Sequence, residues 1–252
     1  MTNDIEKLYD DAAERWVRRS PESLSDFTAR PVVFDRLRPI TSRARVVDLG
    51  CGEGYCARTL AEMGAASVFG LDTSSEMIGR AQKAEEQDQH GCLEYHTGSV
   101  TELPLDDESI DIALGVFVYN YLSVTEMHQS MAEAFRVLKE GGTFLFTVPH
   151  PSLPFMRSND HPFFFDQEDF DYFSGRDASF SGKIWKRDGV ALPVVARHKV
   201  LADYFDGLTA AGFRSLPLVE ELGVTVDLID LDRDFFGPLQ GYPLHVLFML
   251  QK

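Results

Sequence analysis

The sequence predicts an α/β protein in which a mostly parallel sheet carries helices on both faces. From residue 44 onward, short apolar runs alternate with helical patterns, which is the order that produces parallel strands joined by crossover helices. The first apolar run leads from Val46 to Leu49 into three glycines within five residues. Open α/β sheets hold nucleotide-like ligands at such a turn. The alternation stops near residue 150, so we expect one insertion in the core.

The elements follow from this alternation. Strands are predicted at Arg45–Leu49, Ser67–Leu71, Cys92–Thr97, Ile110–Gly115 and Thr143–Val148, and after the insertion at Phe213–Val219 and Leu244–Leu250. Helices are predicted at Tyr55–Met63, Ser75–Gln87, Thr125–Lys139 and Leu201–Ala211. Ser74 supplies an N-cap for the second of these helices. Glu140-Gly141-Gly142 is interpreted as a glycine C-cap of the third.

Three parts of the chain differ in composition. Residues 1–40 are polar, helical in pattern and punctuated by prolines, and we expect a helical lid there. Residues 41–149 and 200–252 form the predicted core. Residues 150–199 are rich in aromatic side chains, and Asp188-Gly189 indicates a hairpin within them. We expect this segment to be an inserted cap over a substrate, although a small satellite core under a long insertion would have the same composition.

The charge of the chain narrows the possible partners. Its 252 residues carry a formal net charge of -16, and an acidic surface repels phosphate backbones and anionic lipids. Nucleic-acid and membrane partners are therefore disfavoured, and a small molecule is expected. Three scattered cysteines are too few for a disulfide framework or a zinc site, so no metal is expected. No apolar run has the length of a signal peptide core or a membrane span, which favours a cytoplasmic protein. A monomer or homodimer is expected, and the sequence does not choose between them.

The residues around the glycine turn decide between possible ligands. A dinucleotide site needs a third glycine at position 55, which is tyrosine here. Asp48 and Glu53 flank the turn, and two carboxylates would repel a pyrophosphate. They suit a ligand that carries an ammonium and a sulfonium. An NAD-linked oxidoreductase is therefore disfavoured.

The stretch Val46-Val47-Asp48-Leu49-Gly50-Cys51-Gly52-Glu53-Gly54 resembles the first motif of the class I S-adenosylmethionine (SAM) dependent methyltransferases, in particular the small-molecule, type 11-like group. This resemblance implies SAM as the cofactor. It also implies a Rossmann-like seven-stranded sheet that is mostly parallel with an antiparallel last strand.

The resemblance extends to further cofactor positions. Asp72 ends the second predicted strand, where an acid can accept both ribose hydroxyls. In the family, a methionine at the position of Met77 packs on the adenine, and the Tyr9-to-Trp16 segment resembles a helix that folds over the cofactor. Serine stands at position 99, where the family often has aspartate. The predicted cofactor residues are Tyr9, Trp16, Asp48, Gly50, Cys51, Gly52, Asp72, Thr73, Met77, Ser99, Val100 and Val116.

Methyl transfer from SAM is an in-line displacement, so catalysis consists mainly of holding the acceptor aligned and dry. A base is needed only if the acceptor must lose a proton early. His150, at the end of the fifth strand, and His161 in the cap are the candidates, although a histidine beside proline is often only a turn residue. The predicted substrate residues are Tyr119, Tyr121, Phe163, Phe164 and Trp185.

Two functions remain open at this stage. The first is a methyltransferase that acts on an O, N or C atom of a small aromatic or hydrophobic molecule, with sulfur acceptors not excluded. The second is a partner subunit of the same fold that binds SAM and methylates nothing. The methyltransferase core is shared by enzymes with all of these acceptor atoms, so the fold does not select among them.

Overall fold

The computed structural model describes residues 20–156, 158, 161–166 and 169–252. The strands in this part of the chain are β1 (Arg45–Leu49), β2 (Ser67–Asp72), β3 (Leu93–Thr97), β4 (Ile110–Val116), β5 (Leu138–Pro149), β6 (Phe163–Asp166), β7 (Ser179–Trp185), β8 (Ala191–Arg197), β9 (Leu218–Leu222) and β10 (His245–Gln251). The α-helices are α1 (Leu24–Thr28), α2 (Arg30–Thr41), α3 (Tyr55–Glu62), α4 (Ser75–Asp88), α5 (Val124–Val137), α6 (Leu201–Ala211), α7 (Val226–Leu231) and α8 (Arg233–Phe236).

Across the described ranges, the main sheet has seven strands in the order β3-β2-β1-β4-β5-β10-β9. Strands β1 to β5 run parallel to one another, and β10 lies antiparallel between β5 and β9. The strand order reverses between β1 and β4, which opens a crevice at their carboxyl ends. The predicted fold class, a Rossmann-like sheet with an antiparallel last strand, is confirmed.

Both faces of the sheet are covered, which explains why the central strands are continuous apolar runs. Val47 and Leu49 of β1 face one hydrophobic cluster, which includes Met127 of α5 and Leu208 of α6. Val46 faces the opposite cluster. Helices α2 and α3 contribute Val33, Leu37 and Leu60 to that second cluster. The alternation of side chains along β1 therefore divides its residues between two cores.

The junction of α5 and β5 differs from the sequence prediction. Helix α5 ends at Val137, and Leu138 already has the extended backbone of β5. Gly141 has a φ of +74° inside the strand. The register against β4 shifts between Ile110 and Ile112. The predicted glycine C-cap was therefore wrong, because these glycines belong to an irregular stretch of β5. A glycine with positive φ is found in β-bulges as well as at helix ends, so the sequence pattern fits both.

The strand predicted from Phe213 begins five residues later, at Leu218. Phe213 is buried and packs against Phe135 of α5, with ring centroids 5.0 Å apart. It therefore belongs to the core cluster under α6. Gly212 ends α6 with a φ of +114°, as its position after the helix predicts.

Strands β6, β7 and β8 form a second, antiparallel sheet from the aromatic-rich segment. The hairpin between β7 and β8 encloses Asp188-Gly189, as predicted. This hairpin is fastened at both ends. At its tip, Arg187 N donates to Glu22 O at 3.1 Å, and Lys186 Nζ lies 2.6 Å from Glu22 Oε2. At the far end of β8, Arg197 N donates to Asn120 O at 2.8 Å.

In the described ranges, we find no helix long and apolar enough to cross a bilayer. The same residues contain no group of three or more His, Cys, Asp or Glu side chains placed to hold a metal ion.

Candidate functional site: a cavity at the carboxyl edge of the sheet

The turn after β1 is held against the end of β2. Gly50 N and Cys51 N both donate to Leu71 O, at 2.8 and 3.0 Å. Gly50 has a φ of +69°, and a Cβ there would lie 2.7 Å from Val118 Cγ2. Glycine is therefore required at this position twice over, for backbone conformation and for the close approach of the β4 loop.

A cavity of about 310 Å³ opens above this turn. Ten of the predicted cofactor residues line it: Asp48, Gly50, Cys51, Gly52, Asp72, Thr73, Met77, Ser99, Val100 and Val116. The remaining two, Tyr9 and Trp16, lie outside the described residues. The structure thus brings together residues from the ends of β1, β2, β3 and β4, which the predicted parallel order places at one edge.

Asp72 is fixed by two backbone donors. Its Oδ2 accepts from Gly52 N and its Oδ1 accepts from Ser74 N, both at 2.9 Å. Ser74 in turn caps α4, since its hydroxyl accepts from Met77 N. The carboxylate therefore has a defined orientation at the cavity wall before any ligand arrives.

Asp48 lies deeper and is 1% exposed. Its Oδ2 has no hydrogen-bond partner in the part of the chain that the structure describes. Burial, followed by the negative charge of Asp72, raises the pKa of the Asp48 carboxyl to about 7. A cationic ligand group in the cavity would stabilise the ionised form. An ammonium or sulfonium therefore fits this end of the cavity, and a phosphate does not.

Glu53, the second carboxylate beside the turn, is already neutralised. It forms a salt bridge with Arg58 Nη2, and Arg58 Nη1 donates to the Glu53 carbonyl. This pairing is local, because α3 places Arg58 five residues further along the chain. Asp48 and Asp72 are therefore the carboxylates that set the charge of the cavity near the glycine turn.

The sequence analysis did not identify Arg30, which also lines the cavity. Its Nη1 donates to Asp26 Oδ1 at 2.8 Å and to Ser25 Oγ at 2.7 Å. Its guanidinium lies 5.2 Å from the centroid of the Phe117 ring. Arg30 lowers the pKa of Asp48, against the larger effects of burial and Asp72. Arg30 is therefore a cation on the cavity wall that forms a buried salt bridge with Asp26.

The far side of the cavity is an apolar wall built by the second sheet. Phe163, Phe165, Ile184 and Val194 line it, together with Leu24 and Leu153. The predicted substrate residues Phe163 and Tyr121 lie on this cavity. Phe164 is 60% exposed and points away from it, because neighbouring side chains on a strand alternate between faces.

Two other predicted substrate residues lie off the described lining. Trp185 follows Ile184 on β7 and faces away by the same alternation. Tyr119 is fully buried in the core, where its hydroxyl accepts from Ser130 Oγ at 3.4 Å.

The two histidines predicted as bases also lie outside the described lining of the cavity. His150 Nδ1 hydrogen-bonds Ser152 Oγ at 2.7 Å, and its Nε2 lies 2.9 Å from Glu221 Oε1. His161 packs between Phe163 and Tyr242, with ring centroids 5.0 and 5.4 Å away. A third histidine, His245, does line the cavity. It lies within the strand predicted at Leu244–Leu250, and no sequence motif marked it as a site residue.

Comparison with known proteins points to methyltransferases. Residues 47–146 match the family model described as a methyltransferase domain. A probable S-adenosylmethionine-dependent methyltransferase of Mycolicibacterium smegmatis is 32% identical over 136 residues, or 54% of this chain and 49% of that protein. The malonyl-[acyl-carrier protein] O-methyltransferase of Pectobacterium atrosepticum is 32% identical over 115 residues, or 44% of this chain and 41% of that protein.

A solved structure shares the fold over most of the chain. The crystal structure of an S-adenosylmethionine dependent methyltransferase from Mesorhizobium loti matches with a TM-score of 0.66 at 23% identity, and the match covers 88% of this chain and 96% of that one. The chain spans about half or less of the length of the two curated relatives described above.

The fold, the cavity and the domain match together define the class. Residues 47–146 match a methyltransferase domain, and this match, the relatives and the fold support the class I SAM-dependent methyltransferase family predicted from the sequence. SAM is the cofactor that this domain implies.

Proposed function

We propose that this protein is an enzyme that transfers a methyl group from SAM to a small aromatic or hydrophobic molecule. The observation that carries the proposal is the two-sided cavity. Its inner side has Asp48, Asp72 and the glycine turn, whereas its outer side has the apolar wall of the second sheet. When bound, SAM would supply a methyl carbon on a sulfonium leaving group.

The inner side has groups for each part of SAM. Asp72, held by two backbone donors, suits the ribose hydroxyls. Met77 and Val100 offer apolar surface for the adenine, and Ser99 lies beside them on the same cavity. Asp48 suits the ammonium, because a buried carboxylate with an unpartnered oxygen is stabilised by a nearby cation. Arg30 suits the carboxylate of the methionine moiety.

The outer side would orient the acceptor and exclude water. Phe163, Phe165 and Ile184 present apolar surface to a planar molecule, and β6–β8 close the cavity above the glycine turn. Residues 150–199 therefore act, in this proposal, as a substrate cap, and residues 1–40 as the N-terminal lid. The chain's net charge of -16 disfavours strongly anionic acceptors. The cytoplasmic location and the monomeric or homodimeric state stay predictions.

A non-catalytic SAM-binding subunit is the alternative. One observation favours it: both histidines predicted as bases lie off the described cavity lining. Turnover separates the two functions, because a partner subunit would bind the cofactor and release no demethylated product with any acceptor.

Calorimetric titration with SAM and S-adenosylhomocysteine, with NADH as a comparison, tests the proposal. We expect micromolar binding of the sulfur compounds by the wild type, and loss of that binding in Asp72→Ala. Glu94→Ala is the matched control, since that carboxylate is 75% exposed on β3. Screening phenols, amines and carboxylic acids for S-adenosylhomocysteine release would then identify the acceptor. No binding of either sulfur compound would refute the proposed function.

A further inference from the structure

His245 is a buried histidine on the cavity wall that the proposed function does not yet use. It begins β10, pairs with Pro149 of β5 and Leu222 of β9, and is 5% exposed. Its ring meets Phe117 edge-on, with centroids 5.1 Å apart. Both Phe117 and Pro149 also line the cavity. The imidazole therefore stands beside the end of β4, at the carboxyl edge where the parallel strands end.

The hydrogen bonds around His245 determine which of its nitrogens carries the proton. Thr28 Oγ1 donates its single hydrogen to Leu24 O at 2.8 Å. The same oxygen lies 2.9 Å from His245 Nε2. Because the threonine hydrogen is already used, Thr28 Oγ1 accepts in this second bond, and Nε2 donates. The proton is thus on Nε2, and the lone pair of the neutral ring is on Nδ1.

The Nδ1 atom has no hydrogen-bond partner among the described residues. Burial, followed by electrostatic interactions with Arg30 and His150, lowers the pKa of His245 to about 3. Arg30 pairs with Asp26, and His150 pairs with Glu221. The ring therefore remains neutral at physiological pH, and its Nδ1 is a hydrogen-bond acceptor that nothing described in the chain satisfies.

The surroundings make this acceptor selective. Leu24, Phe163, Phe165 and Ile184 give the same cavity an apolar lining. A buried acceptor that meets only apolar groups loses the hydrogen bond that it made to water. A ligand that brings an O–H or N–H to Nδ1 restores that bond, whereas an aprotic ligand of the same shape does not.

We propose that His245 Nδ1 recognises a hydroxyl or N–H group on the apolar methyl acceptor, with Thr28 holding the imidazole in the required tautomer. This inference rests on the proposed function and narrows its substrate class to protic molecules such as phenols, alcohols and amines or amides with N–H. Where the recognised hydroxyl is itself methylated, with its proton released to solvent, the O-methylated product has no hydrogen left for Nδ1 and binds more weakly than the substrate.

Two substitutions at position 245 test the roles of the two imidazole nitrogens separately. His245→Gln keeps an amide nitrogen at the position of Nε2, where it can donate to Thr28, and removes the acceptor at Nδ1. His245→Asn places an amide oxygen near the position of Nδ1 and loses the reach to Thr28. His128→Gln is the control, because His128 uses its Nε2 to bond Asp203 O at 2.9 Å, and it lies outside the described cavity lining.

The probes are 2-naphthol and 2-methoxynaphthalene, titrated calorimetrically into the full chain with S-adenosylhomocysteine present and absent. We expect the wild type to bind the naphthol about tenfold more tightly than the ether. His245→Gln should lose this preference and bind the ether as before, whereas His245→Asn and His128→Gln should keep it. Equal binding of the two probes by the wild type, or an undiminished preference in His245→Gln, would overturn the inference, as would no binding of 2-naphthol at all.

Nitrogen NMR of histidine-labelled protein provides a readout independent of activity. The resonances lost in His245→Gln assign the ring, which should show a protonated Nε2 and a bare Nδ1. Saturating 2-naphthol should shift Nδ1, and an Nδ1–H tautomer or an unmoved Nδ1 would contradict the inference. S-adenosylhomocysteine affinity, measured on the same samples, separates the two failures. If the wild type does not bind S-adenosylhomocysteine, the proposed function is refuted. If it binds S-adenosylhomocysteine but does not prefer 2-naphthol to 2-methoxynaphthalene, only the role of His245 is refuted.

Discussion

Gly52 N donates a 2.9 Å hydrogen bond to Asp72 Oδ2, and this bond joins the glycine turn after β1 to the carboxyl end of β2. The positions of the glycine turn and of Asp72 are therefore coupled, although 20 residues separate Gly52 from Asp72 in the chain. The sequence motif requires both residues for the ligand. The structure adds that each also positions the other.

We expect Asp72→Asn to weaken S-adenosylhomocysteine binding by about ten- to a hundredfold, because it removes the charge that strengthens hydrogen bonds from ribose hydroxyls. The melting temperature should fall only modestly, because the single amide oxygen can accept from Gly52 N or from Ser74 N, and one of these two hydrogen bonds is lost. Calorimetry and thermal unfolding of the same preparations check both statements. A large fall in melting temperature with unchanged affinity would show that the carboxylate is structural.

The pKa of Asp48 predicts an unusual pH dependence of stability. Its folded pKa of about 7 lies above the unfolded value of 3.8. The folded state therefore holds the proton more tightly, and stability falls as pH rises between these values. Asp48→Asn should remove this penalty, which amounts to about 4 kcal/mol at most above pH 7. Urea unfolding of both proteins at about pH 5.5 and about pH 8 should show a gap that widens with pH.

The same substitution should weaken cofactor binding, because the neutral amide no longer attracts an ammonium. In the wild type, affinity for S-adenosylhomocysteine should rise through neutral pH as Asp48 ionises, with release of a proton on binding. Calorimetry in two buffers of different ionisation enthalpy measures that proton. A stability gap that stays constant between the two pH values would contradict the assignment of the raised pKa to Asp48.

Gly50→Ala tests the close approach of the β4 loop. The new Cβ would lie 2.7 Å from Val118 Cγ2 and would also need a φ of +69°. Gly189→Ala provides the matched control, because its φ is +83° and a Cβ there meets nothing within 4 Å. Strain at positive φ costs of order 1–3 kcal/mol at either site, so the additional destabilisation of Gly50→Ala measures the steric clash. Equal melting temperatures would mean that the loop yields without cost.

The alternation along β6 provides a matched pair for the apolar wall. Phe163 is 4% exposed and lines the cavity, whereas Phe164 is 60% exposed. Phe163→Ala should weaken 2-naphthol binding about tenfold or more through lost apolar contact. Phe164→Ala should leave it unchanged. Phe165→Leu, a milder change on the same wall, keeps the test informative if Phe163→Ala unfolds. Equal affinities in all three variants would show that the probe binds elsewhere.

The sequence was sufficient to predict the inner side of the cavity because that side is local. Asp48 and the glycines lie within one turn, and Asp72 follows at the end of the next strand. Their contacts require only that the strands be parallel and adjacent. Tyr9 and Trp16 lie outside the described residues, so their predicted contacts with the cofactor stay predictions.

On the outer side, the aromatic cap, Phe163 and Tyr121 were predicted, but two residues that line the cavity through long-range contacts were not. His245 reaches Thr28 across 217 residues of sequence, and Arg30 comes from a helix that precedes the sheet. The sequence analysis placed a histidine at the correct edge, but chose His150, whose neighbour Pro149 pairs with His245 in the sheet. Which of two adjacent histidines faces a cavity depends on strand pleat and register, and neither can be derived from a single chain segment.

The β7–β8 hairpin is fastened at its tip to Glu22 and at its far end to Asn120. Because this wall of the cavity is held at two points, it has little freedom to move. It would therefore select acceptor molecules by their shape rather than by closing over them. Ile184 and Val194 lie between the two attachments and face the interior. Replacing these two side chains with smaller or larger ones is therefore the direct way to change which acceptor molecules bind. Such substitutions leave the residues at the nucleoside end of the cavity unchanged.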